Sequence, residues 1–177
     1  MPAPMGDLGP CVVLYGGVST GENISVNFRS SDDTAPVKTA AFGSASKDEI
    51  FTGRSVEVEV MLTQTTLIQL GAMMVDTTIT TNELMVATNV GTAMSDNRAQ
   101  LIIKPVVGGT ASATATKWLT VFAACPKVDM DIVYDVDGQR VFKTTFVGFP
   151  ATAAEAAVSG VTYAEGDLWA IGYGETS

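Results

Sequence analysis

The sequence predicts a mainly-β protein, an antiparallel sandwich or barrel-like fold with one flanking α-helix. Three observations carry that prediction. Several segments alternate apolar and polar residues with a period of two, as half-buried strands do. One segment shifts to the spacing of a helical face. The strand-like runs also follow one another without the strand-helix-strand alternation that builds a parallel sheet. At 177 residues the chain is long enough to bury a sizeable core, so a single domain over residues 1–177 is expected.

In chain order, Leu14–Gly21 holds enough glycine to be a turn or loop, and it lacks the Gly-Lys-Ser/Thr ending that cradles phosphate. Ile24–Phe28 is the first clean strand, with Ile24, Val26 and Phe28 on one face and Ser25 and Asn27 on the other. From Arg29 to Glu49 the residues become polar and small. A long polar loop is expected at about 29–50, with Val37–Phe42 available as a short edge strand inside it. Val56–Leu62 is the strongest strand: Val56, Val58, Val60 and Leu62 fill one face, Glu57, Glu59 and Met61 the other. The period then changes. Leu67, Leu70, Gly71 and Met74 predict the one long helix, from about Thr65 to Met74, with Thr66 and Gln69 spaced as a capping box.

The remainder reads as β. Leu84–Val90 is an apolar run. Arg98–Val107 places Leu101, Ile103 and Val107 opposite Gln100, Ile102, Lys104 and Val106, and Pro105 within it lacks a ladder donor, so an edge or bulge is expected there. A loop of small residues at Gly108–Ala113 precedes a strand from Lys117 to Ala124. Met130–Val136 alternates again, and Asp137-Gly138 is the strongest two-residue hairpin signal, so Met130–Val147 is predicted to be one long hairpin. Pro150–Ala157 reads as a helical turn or loop. Asp167–Tyr173 ends the pattern as a strand with Leu168 and Ile171 on one face and Trp169 on the other. The sum is eight or nine strands and one helix, with no internal repeat.

Charge and composition exclude several functions. A net charge of −9 argues against a surface that grips nucleic acid, because phosphate binding rests on Lys and Arg. An acidic wall past which DNA slides remains compatible with it, as does acidity for solubility alone. The chain has no histidine, which removes the commonest general base and metal ligand. No Gly-x-Ser-x-Gly occurs, and Glu57 with Glu59 reads as a solvated sheet face rather than a glycosidase pair. Asp131, Asp135 and Asp137 lack the further ligands of a calcium loop. Cys11 and Cys125 are far apart and read as reduced structural thiols. No catalytic set, cofactor or metal is therefore expected. No run approaches the ~20 apolar residues of a membrane span, and the opening residues do not read as a secretory signal.

Several motifs, taken together, resemble those of the major tail tube proteins of long-tailed bacteriophages. They are Leu14-Tyr15-Gly16-Gly17, the strand Ile24–Phe28, Thr34-Ala35-Pro36-Val37, and Thr52-Gly53-Arg54 leading into Val56–Val60. The helix at Thr65–Met74 follows at once, then a charged hairpin, Phe149-Pro150-Ala151 and finally Asp167–Gly172. The resemblance implies a β-sandwich or barrel-like domain flanked by a helix, whose copies join as hexameric rings and stack into a tube. It implies a virion tail protein made and assembled in the host cytoplasm. DNA would transit the lumen without specific binding. The implied partners are other copies and the tail-tip initiator, tape-measure and tail-terminator proteins. Glu57, Glu59, Asp131 and Asp135 become candidates for the lumen wall, with Lys143 and Arg140 positioned to neutralise part of it. Asp32, Asp33, Pro36, Val37 and Phe42 become candidates for a loop reaching the adjacent ring. Alternatives are a capsid decoration or head-to-tail joining protein, and a carbohydrate-binding or adhesive module using Trp118 and Trp169, although both tryptophans fit core strand positions.

Overall fold

Alternation in the sequence becomes pairing in the backbone. The computed structural model describes residues 9–38, 46–80, 82–88, 90–91, 93–129, 141–158 and 161–172. In chain order the elements are β1 (Cys11–Tyr15), β2 (Val18–Ser19), β3 (Glu22–Lys38), β4 (Ser46–Gln64), α1 (Leu67–Ala72), β5 (Thr77–Ile79), β6 (Leu84–Val86), β7 (Ala99–Val107), β8 (Thr110–Ala111), β9 (Leu119–Asp129), β10 (Phe142–Phe149), β11 (Ala157–Val158), β12 (Val161–Thr162) and β13 (Trp169–Ile171). The protein is mainly β, as the sequence predicts. One large antiparallel sheet runs β2-β1-β7-β9-β10-β4-β3, with β8 added to β7 and β13 added to β9. β5 with β6 and β11 with β12 make two separate hairpins.

The apolar face of that sheet turns toward itself. Val13 and Tyr15 of β1, Val56, Val58, Val60 and Leu62 of β4, Leu101 of β7, Val121 and Ala124 of β9 and Phe146 of β10 share one buried cluster. Each valine or leucine so buried contributes about 1.5–3 kcal/mol relative to exposure. The Tyr15 ring lies 5.1 Å from Phe146, although β7 and β9 separate their strands in the sheet. In a flat sheet, strands three places apart would stand about 14 Å from one another. Near the two margins, the Asn23 side-chain amide of β3 donates to the Cys11 carbonyl of β1 at 3.1 Å, and Phe28 meets Trp169 edge-on at 5.1 Å. A smaller cluster of Phe122, Ala151 and Ala156 packs on the opposite face of β9.

The strongest sequence signals hold at residue level. Val56, Val58, Val60 and Leu62 are all buried to 1% exposure or less. Thr66 caps α1, accepting from the Gln69 amide at 3.2 Å while the Gln69 side chain accepts from the Thr66 amide at 2.8 Å. Gly16 and Gly17, with φ of 55° and 84°, form the turn between β1 and β2.

Elsewhere the structure corrects the expectations. The long polar loop at about 29–50 is instead strand on both sides, β3 continuing to Lys38 and β4 starting at Ser46. Its residues satisfy their backbone groups by pairing with each other, so no buried face imposes an apolar alternation. The helix is six residues long, not ten; the chain turns out of it at Met73 and reverses at Asp76, with φ of 55°. The apolar run at Leu84–Val90 is strand only to Val86, and Val90 is 95% exposed. The small-residue loop at Gly108–Ala113 contains β8, and Val107 is exposed, while Leu101 and Ile103 face the core as expected. Pro105 pairs with Cys11 inside the sheet, but it lies past Ile103, the last β7 residue paired with β9, so its missing donor breaks no ladder there. Leu168 and Trp169 both pack against the main core and Ile171 is exposed; Leu168 precedes β13, which begins at Trp169, so strand alternation does not set Leu168 apart from Trp169. For the predicted hairpin at Met130–Val147, β9 and β10 pair antiparallel from Lys143↔Asp129 onward, and its turn at Asp137-Gly138 lies outside the described residues.

Candidate assembly surface

The β3–β4 ribbon leaves the sheet where β10 ends. The last β10 pair is Gly148↔Val56; beyond it β4 is paired with β3 alone, from Ser31↔Ser55 to Lys38↔Ser46. This arm projects about 23 Å at the usual strand rise. Gly148 permits the close passage at its root, since a Cβ there would sit 3.0 Å from the Val56 Cβ and 3.2 Å from a Val121 methyl.

Along the arm both faces meet solvent. Ile50 and Phe51 are each 58% exposed and, as neighbours in one strand, point to opposite faces. Polar ties hold the two strands in register. Arg54 grips Asp32 with both its Nε and its Nη2, the latter at 3.0 Å, and its guanidinium lies 5.8 Å from the Phe51 ring centre. The Thr34 hydroxyl donates to Glu49 at 3.2 Å. The hydrogen bonds and charge of Arg54 hold the Asp32 carboxyl below the usual carboxylate range. Register shifts fall at Asp33/Thr34 and at Val37/Lys38. Of the residues expected to reach an adjacent ring, Asp32, Asp33, Pro36 and Val37 all lie on this arm in β3, and Phe42 lies outside the described residues.

At the base of the arm lies the outward face of the sheet. Glu57 stands opposite Arg29 of β3, and Glu59 stands opposite Asn27, with the Lys143 ammonium 3.0 Å from its carboxylate. The ladder continues through Thr145↔Lys127 and Lys143↔Asp129 to β9. Three cations (Arg29, Lys143, Lys127) therefore interleave with three carboxylates (Glu57, Glu59, Asp129). This described part of the face is charge-balanced rather than acidic. Asp131, Asp135 and Arg140, named with Glu57, Glu59 and Lys143 from the sequence, lie outside the described residues.

A second exposed apolar surface escaped the sequence reading. Leu67 was assigned to the buried helical face with Leu70, yet it is 42% exposed and Ile68 is 63% exposed, while Leu70 and Met73 are buried. Thr66, Leu67, Ile68, Ile79 and Thr80 line an open groove. Met85 and Val86, on the hairpin that β5 makes with β6, are exposed as well. Gly71 lets that hairpin approach, because a Cβ there would fall 2.5 Å from Ile79 and 3.0 Å from Leu84. The signal available in the sequence was the adjacent pair Leu67-Ile68, since two neighbours cannot both occupy one narrow helical stripe.

The Trp118 indole donates to the Ser112 carbonyl at 2.8 Å and carries the Lys104 ammonium 3.7 Å above its ring, and Trp169 packs on Phe28. Cys11 and Cys125 are free thiols; burial raises both, and the Cys125 thiol donates to the Met94 carbonyl at 3.0 Å. No protein-family model and no curated protein sequence matches this chain.

Proposed function

We propose that this chain is a structural subunit that assembles with copies of itself, in its most specific form the tail tube subunit of a long-tailed bacteriophage. The arm is the observation that carries the reading. A two-stranded ribbon alone is marginal in water, and this one presents Ile50 and Phe51 to solvent on opposite faces. β3 ends the path of the large sheet, a margin that can template pairing with another chain, although Asp32, Asp33, Pro36 and the register shifts interrupt its outer half. Together they give the molecule more contact-forming surface than a solitary protein uses.

In this reading the sheet, turned over its own apolar face, is the barrel-like body of the subunit, and rings of six copies stack into the tube. The charge-balanced outer face formed by β3, β4, β10 and β9 suits a wall that DNA passes. Its lysines and arginine stand beside carboxylates, so few free cations remain to hold phosphate by counterion release. The partners are other copies and the tail-tip, tape-measure and tail-terminator proteins, the setting is the virion tail, and no enzymatic step is assigned. Negative-stain electron microscopy of the concentrated protein, with its mass from light scattering, tests the proposal. Rings or tubes with a central channel are the expected result. A monomer or trimer that never polymerises, even with tail-tip components added, would replace the reading with a decoration protein or a binding module.

A further inference from the structure

We infer that Glu155 and Arg98 form an acid-released latch, which holds the segment after β10 against Phe122 of β9 as a strap that opens while the main core stays folded. Both partners lie in one chain, so the inference does not depend on the self-assembly reading.

The Glu155 carboxylate collects three donors. One oxygen accepts from the Thr152 amide at 2.8 Å and from the Thr152 hydroxyl at 2.7 Å, and the other lies 2.6 Å from the Arg98 Nε. Arg98 stands immediately before β7, whereas Thr152 and Glu155 follow β10, so the ion pair ties two parts of the chain that no ladder joins there. Its side chains are 24% and 25% exposed, against 42% and 50% for Arg54 and Asp32 on the arm, so solvent screens the latch less.

What the latch holds is a small structure of its own. Phe122, Ala151 and Ala156 form a cluster separate from the main core, with the Tyr163 ring centre 4.6 Å from that of Phe122. Backbone bonds join its parts: the Ala156 amide donates to Thr152, Tyr163 to Ala156, Ala151 to Asp167 and Gly166 to Ala151. Two of the three buried residues in this cluster are alanines, so burial contributes little and the latch carries a large share. The ends of the strap are fixed more firmly. Phe149 pairs with Ala123 at the end of β10, and Leu168 and Trp169 pack on the main core. Opening therefore hinges between those ends and bares the Phe122 ring, which is 1% exposed when the strap is closed.

Protonation is what releases it. Burial raises the Glu155 carboxyl, but the Thr152 hydroxyl and amide together with Arg98 outweigh it, so the group lies below the usual carboxylate range. Arg98 is the charged group that acts on it. Two further acids stand close to the latch in the chain: Asp96, in the 3-10 turn that precedes Arg98, and Asp167, whose carboxylate accepts from the Ala164 amide at 2.9 Å. A carboxylate depressed in the folded state contributes stability above its unfolded pKa and loses it as pH falls through the folded value. The strap is thus closed at neutral pH and released in acid.

Amide hydrogen exchange of the intact protein, corrected for the intrinsic effect of pH, tests the latch. From about pH 7 to about pH 3, protection of the Ala151, Ala156, Tyr163 and Gly166 amides is expected to fall roughly tenfold, while Val58 and Val60 of β4 keep theirs. Glu155→Gln is expected to show the low strap protection at both pH values. Arg98→Gln should lose part of it, and the double variant no more than Glu155→Gln alone. Strap protection that is unchanged in acid, or that falls only together with β4, would overturn the latch in the wild-type protein without any substitution. A pH dependence that survives Glu155→Gln would transfer the effect to Asp167 or Asp96 and overturn it as well. So would an Arg98→Gln protein that exchanges like the wild type.

Discussion

One strand, β4, lives in two environments, and the contrast separates a half held by burial from a half held by pairing with one strand. From Val56 to Leu62 it is paired on both sides, and its four inward side chains are 1% exposed or less. From Ser46 to Ser55 it has one partner strand, and from Lys47 onward both of its faces meet solvent. The halves therefore differ both in the number of partner strands and in packing. The inner half is held by burial, and the outer half by a ladder and an Arg54–Asp32 ion pair, with Ile50 and Phe51 left exposed.

The contrast is broken most severely from the inner side. Phe146→Ala removes a fully buried ring that contacts Tyr15 across the core, and denaturant unfolding is expected to show a loss of about 3–5 kcal/mol. A loss below 1 kcal/mol would mean that the inner half is not the source of stability. A smaller effect is expected at the junction. Gly148→Ala drives a methyl against the Val56 Cβ, which the backbone fixes, and should cost about 1–3 kcal/mol by the same measurement.

The smallest effect belongs to the arm. Asp32 has its pKa lowered by Arg54, so its contribution is present above the ordinary carboxylate pKa and disappears as pH falls through the depressed folded value. The side chains are exposed, so the loss should register in the local exchange of arm amides and leave global unfolding unchanged. Asp32→Asn is expected to abolish that acid-dependent step while leaving the Val56–Leu62 amides protected. A pH-dependent change in global unfolding that Asp32→Asn abolishes would show the arm to be part of the cooperative core.

Legibility in the sequence followed burial. The alternation at Val56–Leu62 was readable because one face is dry and the other wet, and the Thr66/Gln69 cap because it is a local device closed within three residues. The arm was read as a loop because its residues are polar and small, and strands with two wet faces carry no apolar alternation. Glu57 and Glu59 were correctly placed on the outward face. Their neutralisation depended on which strands lie beside β4, and although Lys143 was flagged, the pairing of Arg29 opposite Glu57 was not foreseen.

By itself the sequence determined the strand-rich class, the inward faces of its best strands, the capped start of the helix and a surface poor in cations. These follow from short-range periodicity and composition, which need no knowledge of partners. Tertiary structure decided the strand order, the turning of the sheet over its own core, the reach of the arm, the pairing of charges across strands and the exposure of Leu67 and Ile68. Each depends on contacts between residues far apart in the chain, and a linear pattern specifies which side of a strand is apolar without specifying what covers it.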